Sequence, residues 1–263
     1  MPTGPAWDSR QYLRFEAERT LPCRDLVQRI ELEAPRRIVD LGCGPGTSTA
    51  VLLQRWPWAD VVGVDSSPEM LEVARRSHPS VRWVEDDLRR WNPDHPLDLV
   101  FSNAVLQWVP DHPTELQRLW QWVAPGGAIA FQVPARETPA PAWLRTFTDI
   151  VQQPRWNGHS EGVAATFPVL SAEEYYDLFS PLARRVDLWD TVYGHVLPGP
   201  AAVVEWVRGT AIRPWLQELP SDEERAVFLQ EYTHAIAAAY PERPDGRIVF
   251  PFRRRFVVAY RRA

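Results

Sequence analysis

The chain has 263 residues, of which 45% are hydrophobic and 24% charged, and a net charge of −5. That is the size of one large domain, or of a core plus an addition, with enough apolar surface for a buried core. The acidic balance argues against a general nucleic-acid binder. All 29 basic residues are arginine, which excludes chemistry that needs lysine: Schiff bases, pyridoxal catalysis, Walker P-loops and kinase strand lysines. Cys23 and Cys43 are the two cysteines, too few for a disulfide framework or a thiolate metal site, so no metal is expected and a reducing compartment is. No basic segment followed by an apolar run opens the chain, and no apolar stretch approaches the ~18 residues of a membrane span. A cytoplasmic protein without a membrane partner is expected.

Residues 1–22 carry Trp7, Tyr12, Phe15 and Arg19 ahead of Pro22, a spacing that suits a short helix, either a lid or a segment packed on the core. An amphipathic helix over 23–33 follows, with Leu26, Val27 and Ile30 on one side. The pattern then turns to short apolar runs separated by helical stretches. Strands are predicted at 36–41, 60–65, 81–85, 97–102 and 128–133. Helices are predicted from Ser48 to Arg55, from Pro68 to about Pro79, and over 113–123. Ser67-Pro68 is a helix-start signal, a serine cap before a proline in the first turn. These alternations predict βαβ units around a parallel sheet buried on both faces. Beyond it, 138–152 reads as a helix and 153–170 as a loop or mobile insert. Ser171-Ala172-Glu173-Glu174 opens a helix with a capping box. Residues 184–197 and 247–260 read as strands, and 199–217 and 221–240 as helices divided at Pro220. The expected division is an N-terminal lid at 1–30, a binding core at 31–135, a helical segment with the insert at 136–183, and the last strands with a helical cap at 184–263.

In such a sheet, ligands bind beyond the carboxyl ends of the strands. Those ends carry Asp40 before the loop Gly42-Cys43-Gly44-Pro45-Gly46, then Asp65, Asp87 and Asn103. The glycine loop is one residue tighter than the dinucleotide fingerprint G-x-G-x-x-G. A negative charge at Asp40 opposes a pyrophosphate but suits the ammonium and sulfonium of S-adenosylmethionine. Asp65 is placed for ribose hydroxyls and Asp87 for the adenine amino group. The methyl donor is therefore preferred over a dinucleotide.

Val39–Gly46 resembles motif I of the class I S-adenosylmethionine-dependent methyltransferases, and Gly63–Met70 resembles their second motif. A closer match lies outside these motifs: Trp7 with Tyr12-Leu13-x-Phe15 and Glu18-Arg19, Asn103-Ala104-x-Leu106-Gln107-Trp108, Pro110-Asp111-His112, Tyr193-x-His195 and Arg213-Pro214-Trp215-Leu216-Gln217. Together these stretches resemble the trans-aconitate 2-methyltransferases over nearly the whole chain. The resemblance implies a Rossmann-like α/β fold with a seven-stranded, mostly parallel sheet, an antiparallel last strand, helices on both faces and a helical cap. It implies methyl transfer to a carboxylate of trans-aconitate. The cofactor set it implies is Tyr12, Asp40, Gly42, Cys43, Gly44, Gly46, Asp65 and Ser66, continued by Met70, Asp87, Leu88, Asn103, Ala104 and Trp108. For the acceptor it implies Trp108, Tyr193, His195, Arg213 and Trp215, with Arg254 of the Arg253–Arg255 run as a further candidate. A carboxylate is ionised at neutral pH, so no catalytic base is expected; arginines suit the remaining carboxylates as planar forks. A methyl transfer to another small carboxylate or a thioester-linked acid stays open, as does a binder of the cofactor without turnover. A monomer or weak dimer acting on a small di- or tricarboxylate is expected.

Overall fold

A computed structural model of the chain describes residues 16–135, 139–158 and 169–263. Seven strands form one sheet: β1 (Arg37–Leu41), β2 (Asp60–Asp65), β3 (Arg82–Glu85), β4 (Leu97–Asn103), β5 (Val123–Pro134), β6 (Ala183–Leu197) and β7 (Ile248–Arg261). Their order is β3-β2-β1-β4-β5-β7-β6. The pairings β3-β2, β2-β1, β1-β4 and β4-β5 are parallel, and β7 runs antiparallel to β5. The expected sheet and its antiparallel last strand are both present. The order reverses between β1 and β4, which makes that crevice the topological switch point. Ile38, Val39 and Leu41 of β1, Leu99–Phe101 of β4 and Ile129–Phe131 of β5 are buried. Strands covered on both faces need such unbroken apolar runs.

The helices are α1 (Glu16–Arg29), α2 (Thr47–Arg55), α3 (Pro68–Ser77), α4 (His112–Gln121), α5 (Ala142–Val151), α6 (Ala172–Phe179), α7 (Pro200–Arg208), α8 (Arg213–Glu218) and α9 (Asp222–Ala239). Ser67 caps α3 by accepting the Met70 N–H, and Ser171 and Glu174 complete the capping box of α6. Two expected boundaries are corrected. Helix α1 runs straight through Pro22. An internal proline costs about 3 kcal/mol, but this helix buries Cys23, Leu26 and Val27, the last two worth roughly 1.5–3 kcal/mol each. The helix expected over 199–217 is two, broken after Gly209. Pro214 lacks the N–H that an interior turn would use and instead sits in the first turn of α8, just after Arg213.

The described chain falls into two compact units that interleave in sequence. One contains residues 16–135, 169–191 and 254–263; the other contains 139–158 and 192–253. The first holds the five parallel strands and their helices. The second has its own aromatic core, in which Trp215 meets Phe147, Trp156 and Phe228 at ring distances of 5.5, 6.2 and 4.2 Å. The Tyr232 hydroxyl donates to the Trp143 carbonyl, and the Trp143 N–H donates to the Tyr240 hydroxyl, tying α5 to α9. No helix among the described residues is long and apolar enough to cross a membrane.

Candidate functional site

The end of β1 carries Asp40, which is fully buried. Its Oδ2 accepts the hydroxyls of Ser48 and Thr49 from α2 at 2.6 and 2.7 Å, while its Oδ1 has no partner among the described residues. Burial pushes its carboxyl up to about 6, against the lowering pull of the two hydroxyls and with a further push from the Asp65 charge. An ionised, half-satisfied carboxylate in a dry site is a receptor for a cation.

The glycine loop leaves little for an anion. Gly42 and Cys43 donate their N–H groups to the Val64 carbonyl, Gly46 donates to Cys43, and Gly44 donates to Asp65 Oδ2 at 2.8 Å. Pro45 has no N–H. Every loop amide is therefore spent within the chain, which removes the cradle a pyrophosphate needs. Loop geometry and Asp40 thus agree on a cationic ligand. Two glycines show different reasons for lacking a side chain. A carbon added at Gly42 would stand 2.3 Å from Val105, so that position is closed by protein. At Gly44, with φ +54°, an added carbon meets nothing within 4 Å, so the loop faces open space there.

Asp65, at the end of β2, ties the loop to the next helix. One carboxylate oxygen takes Gly44 and the other takes the Ser67 N–H at 2.9 Å. Burial raises its carboxyl, countered by the N–H bonds from Ser67, Gly44 and Ser66. Ser66 is exposed beside it and Met70 is buried below it. Gly63 gives room to Trp83, whose ring would lie 2.3 Å from an added carbon. Cys43 is buried, and burial raises its thiol well above the usual range, which makes it an inert packing group. Asp87 is gripped by the Arg89 guanidinium, and that pairing lowers its carboxyl. Leu88 beside it gives its carbonyl to Arg118.

Beyond the switch point, Asn103 ends β4 and receives a 2.8 Å bond from Gln132 Nε2. Ala104 follows with φ 58°, a left-handed backbone held by Gln107 Nε2 on its carbonyl at 2.7 Å. Such strain costs on the order of 1–3 kcal/mol and tends to sit at functional sites. Trp108 lies half-buried in the 3-10 turn Leu106–Trp108. Under that turn His112 Nδ1 donates to the Leu106 carbonyl, which leaves Nε2 to accept the Tyr175 hydroxyl, both at 2.8 Å. Burial lowers the His112 imidazole, so it is a neutral strut. Arg254 is buried in this unit, opposite Pro134 of β5.

Asp40, the glycine loop, Asp65, Ser66, Met70, Asp87, Leu88, Asn103, Ala104, Trp108 and Arg254 thus all fall in the unit of the parallel strands. Tyr12 lies outside the described residues. Tyr193, His195, Arg213 and Trp215 fall in the second unit. There Tyr193 and His195 stack at 6.1 Å, and His195 lies 4.7 Å from Trp206. Arg213 opens α8, and Trp215 is packed inside the aromatic core. Ser48, Thr49 and Gln132 were absent from the expected set. Gln132 had a sequence signal: one amide within the apolar run Ala128–Val133.

Comparison with known proteins bears on this arrangement. Residues 15–179 match the family model described as a methyltransferase domain. The trans-aconitate 2-methyltransferase of Azoarcus sp. strain BH72 is 48% identical, over 98% of this chain and all of that protein. The chain belongs to the trans-aconitate 2-methyltransferase family. The enzyme of that name from Rhodopseudomonas palustris strain BisB18 is 44% identical, over 96% of this chain and 98% of the relative. Among solved structures, the YcgJ protein of Bacillus subtilis is similar with a TM-score of 0.57 at 18% identity, covering 92% of this chain and 99% of that one. The plantazolicin methyltransferase BpumL, solved with a pentazolic desmethylPZN analogue and S-adenosylhomocysteine, gives 0.53 at 16% identity, covering 97% and 90%. At these identities the structures speak for the fold. They place this member of the family on the methyltransferase sheet.

Proposed function

We propose that the chain transfers the methyl group of S-adenosylmethionine to a carboxylate oxygen of trans-aconitate, giving a monomethyl ester and S-adenosylhomocysteine. The observation that carries this reading is the 48% identity, end to end, with a trans-aconitate 2-methyltransferase. The residues present fit the cofactor: an unpartnered buried acceptor at Asp40 Oδ1 and open space over Gly44. When bound, S-adenosylmethionine supplies an electrophilic methyl group on a sulfonium.

Asp40 would hold the ammonium end and Asp65 the ribose hydroxyls. Asp87 would accept from the adenine amino group once Arg89, whose backbone N–H and guanidinium together occupy both of its oxygens, yields one of them. Gly42, Cys43 and Gly46 shape the loop, while Ser66, Met70, Leu88, Asn103, Ala104, Trp108 and Tyr12 line the rest. The acceptor carboxylate is ionised at neutral pH, with an ordinary pKa near 4, so no proton has to be removed. What the chain supplies is alignment and exclusion of water. Trp108, Tyr193, His195, Arg213 and Arg254 are the residues assigned to the acceptor, with the arginines pairing its non-reacting carboxylates; Trp215, expected there as well, we read as a core residue of the second unit and not a ligand contact. We read the protein as a cytoplasmic monomer or weak dimer that binds no nucleic acid.

Incubation with methyl-labelled S-adenosylmethionine and a panel of di- and tricarboxylates tests this reading. Base-labile label on trans-aconitate is the expected product. Label confined to an amine or phenol acceptor, or to a different acid, would overturn it.

A further inference from the structure

Strand β5 runs apolar from Ala128 to Val133 except at Gln132, which is 1% exposed. A residue chosen for packing alone at this place would be apolar. Its Nε2 donates to Asn103 Oδ1 at 2.8 Å, and its backbone carbonyl accepts the Ala104 N–H at 3.0 Å. Its Oε1 is buried without a partner among the described residues. Turning both amides over would bury two unpaired N–H donors in place of one acceptor, the rarer arrangement. Strand register sets Asn103 beside Gln132, Phe256 opposite Gln132, and Arg254 opposite Pro134. With a side-chain period of two, Asn103, Gln132 and Arg254 share one face of the sheet. All three lie across the switch point from the glycine loop and Asp65.

We propose that Gln132 is a positioning residue: it occupies the Asn103 carbonyl so that the Asn103 NH2 is held outward as a donor to a non-reacting oxygen of the acceptor carboxylate. This rests on the reading that the chain methylates a polycarboxylate. An asparagine free to rotate would also present its carbonyl, which repels a carboxylate. Fixing the amide makes the site select for an anion. The strained Ala104 and its bond from Gln107 hold the backbone just after Asn103, so the amide has no slack to take up.

The test uses the full chain saturated with S-adenosylhomocysteine, with trans-aconitate binding measured by calorimetry. Gln132→Met keeps the volume and removes the amide; trans-aconitate Kd should rise about tenfold, or 1.4 kcal/mol. Gln132→Glu should weaken binding further, because a carboxylate takes the Asn103 N–H and turns the carbonyl out. Because Asn103 also borders the cofactor lining, S-adenosylhomocysteine Kd should move in both variants by at most about threefold, clearly less than the trans-aconitate Kd. Unchanged trans-aconitate affinity in both variants would overturn the positioning role. So would a parallel loss of affinity for both ligands, which marks a general packing defect. If wild-type protein neither binds nor methylates trans-aconitate, the functional reading falls and this inference with it. Wild-type turnover with unmoved variants sinks the inference alone.

Discussion

The two units hold their key residues in opposite ways. Around β1 and β2, polar groups are left partly satisfied: Asp40 keeps a bare buried oxygen, and Gly44 faces open space. In the second unit the large rings pack on one another, and Trp215, Phe147, Phe228 and Tyr232 are buried together, with the Trp215 indole N–H the one group of these four left without a hydrogen-bond partner among the described residues. The first region stores binding capacity at the expense of stability. The second stores stability and offers ligands only its margins, such as Tyr193 and Arg213, which are half-buried. A family stretch that contains both kinds, Arg213-Pro214-Trp215, therefore mixes a margin residue with a core residue.

Breaking the second unit should cost the most. Trp215→Ala removes a fully buried ring and is expected to lower stability by about 3–5 kcal/mol, read as a drop in unfolding midpoint. S-adenosylhomocysteine affinity at a temperature where the variant is folded should hardly change. Next comes the opposite case. Asp40→Asn is expected to weaken S-adenosylhomocysteine binding by roughly 100-fold, about 2.7 kcal/mol at ~1.4 kcal/mol per decade, with stability held or raised.

The same carboxyl predicts a pH dependence with two signs. Its folded value of about 6 lies above the ordinary 3.8. Between those values the folded state binds the extra proton, so stability without ligand falls as pH rises from about 4 to 6. The total is on the order of 3 kcal/mol at 1.36 kcal/mol per unit. Cofactor affinity should run the other way and weaken as pH drops below about 6, because neutral Asp40 no longer attracts a cation. Thermal melts and calorimetry across that range read both, and a flat affinity profile would remove Asp40 from the cofactor site.

Two smaller tests sharpen the contrast within the core unit. Gly44→Ala should cost cofactor affinity about tenfold with a stability loss of roughly 1–2 kcal/mol from its left-handed backbone. Gly42→Ala, pressed against Val105, should cost more stability than that. Arg89→Ala, which frees Asp87 from an exposed pair, should change stability by less than about 1 kcal/mol and cofactor affinity by less than threefold.

Much of the core unit was legible because its signals are local. Val39–Gly46 and Asp65–Pro68 declare strand, turn and cap within a few residues, and the strand spacing fixes the parallel sheet. What escaped was decided by distant packing. Pro22 reads as a break until the buried stripe of α1 outweighs it. The division of 199–217 turns on Gly209 and Pro214, both visible in the sequence but outweighed there by the helical period. Ser48 and Thr49 look like ordinary helix residues until Asp40 is seen beneath them. Asp87 reads as an open acceptor until Arg89 folds back on it.

Asp65 has a consequence for judging relatives of this protein. Its two oxygens rivet the Gly44 amide and the start of α3, so a descendant that had lost methyl transfer would still have reason to keep it. The bare oxygen of Asp40 has no such mechanical duty. A chain with Asp65 present but Asp40 replaced would be a scaffold that kept its frame after giving up its ligand, and the presence of Asp65 alone says little about whether a relative still works.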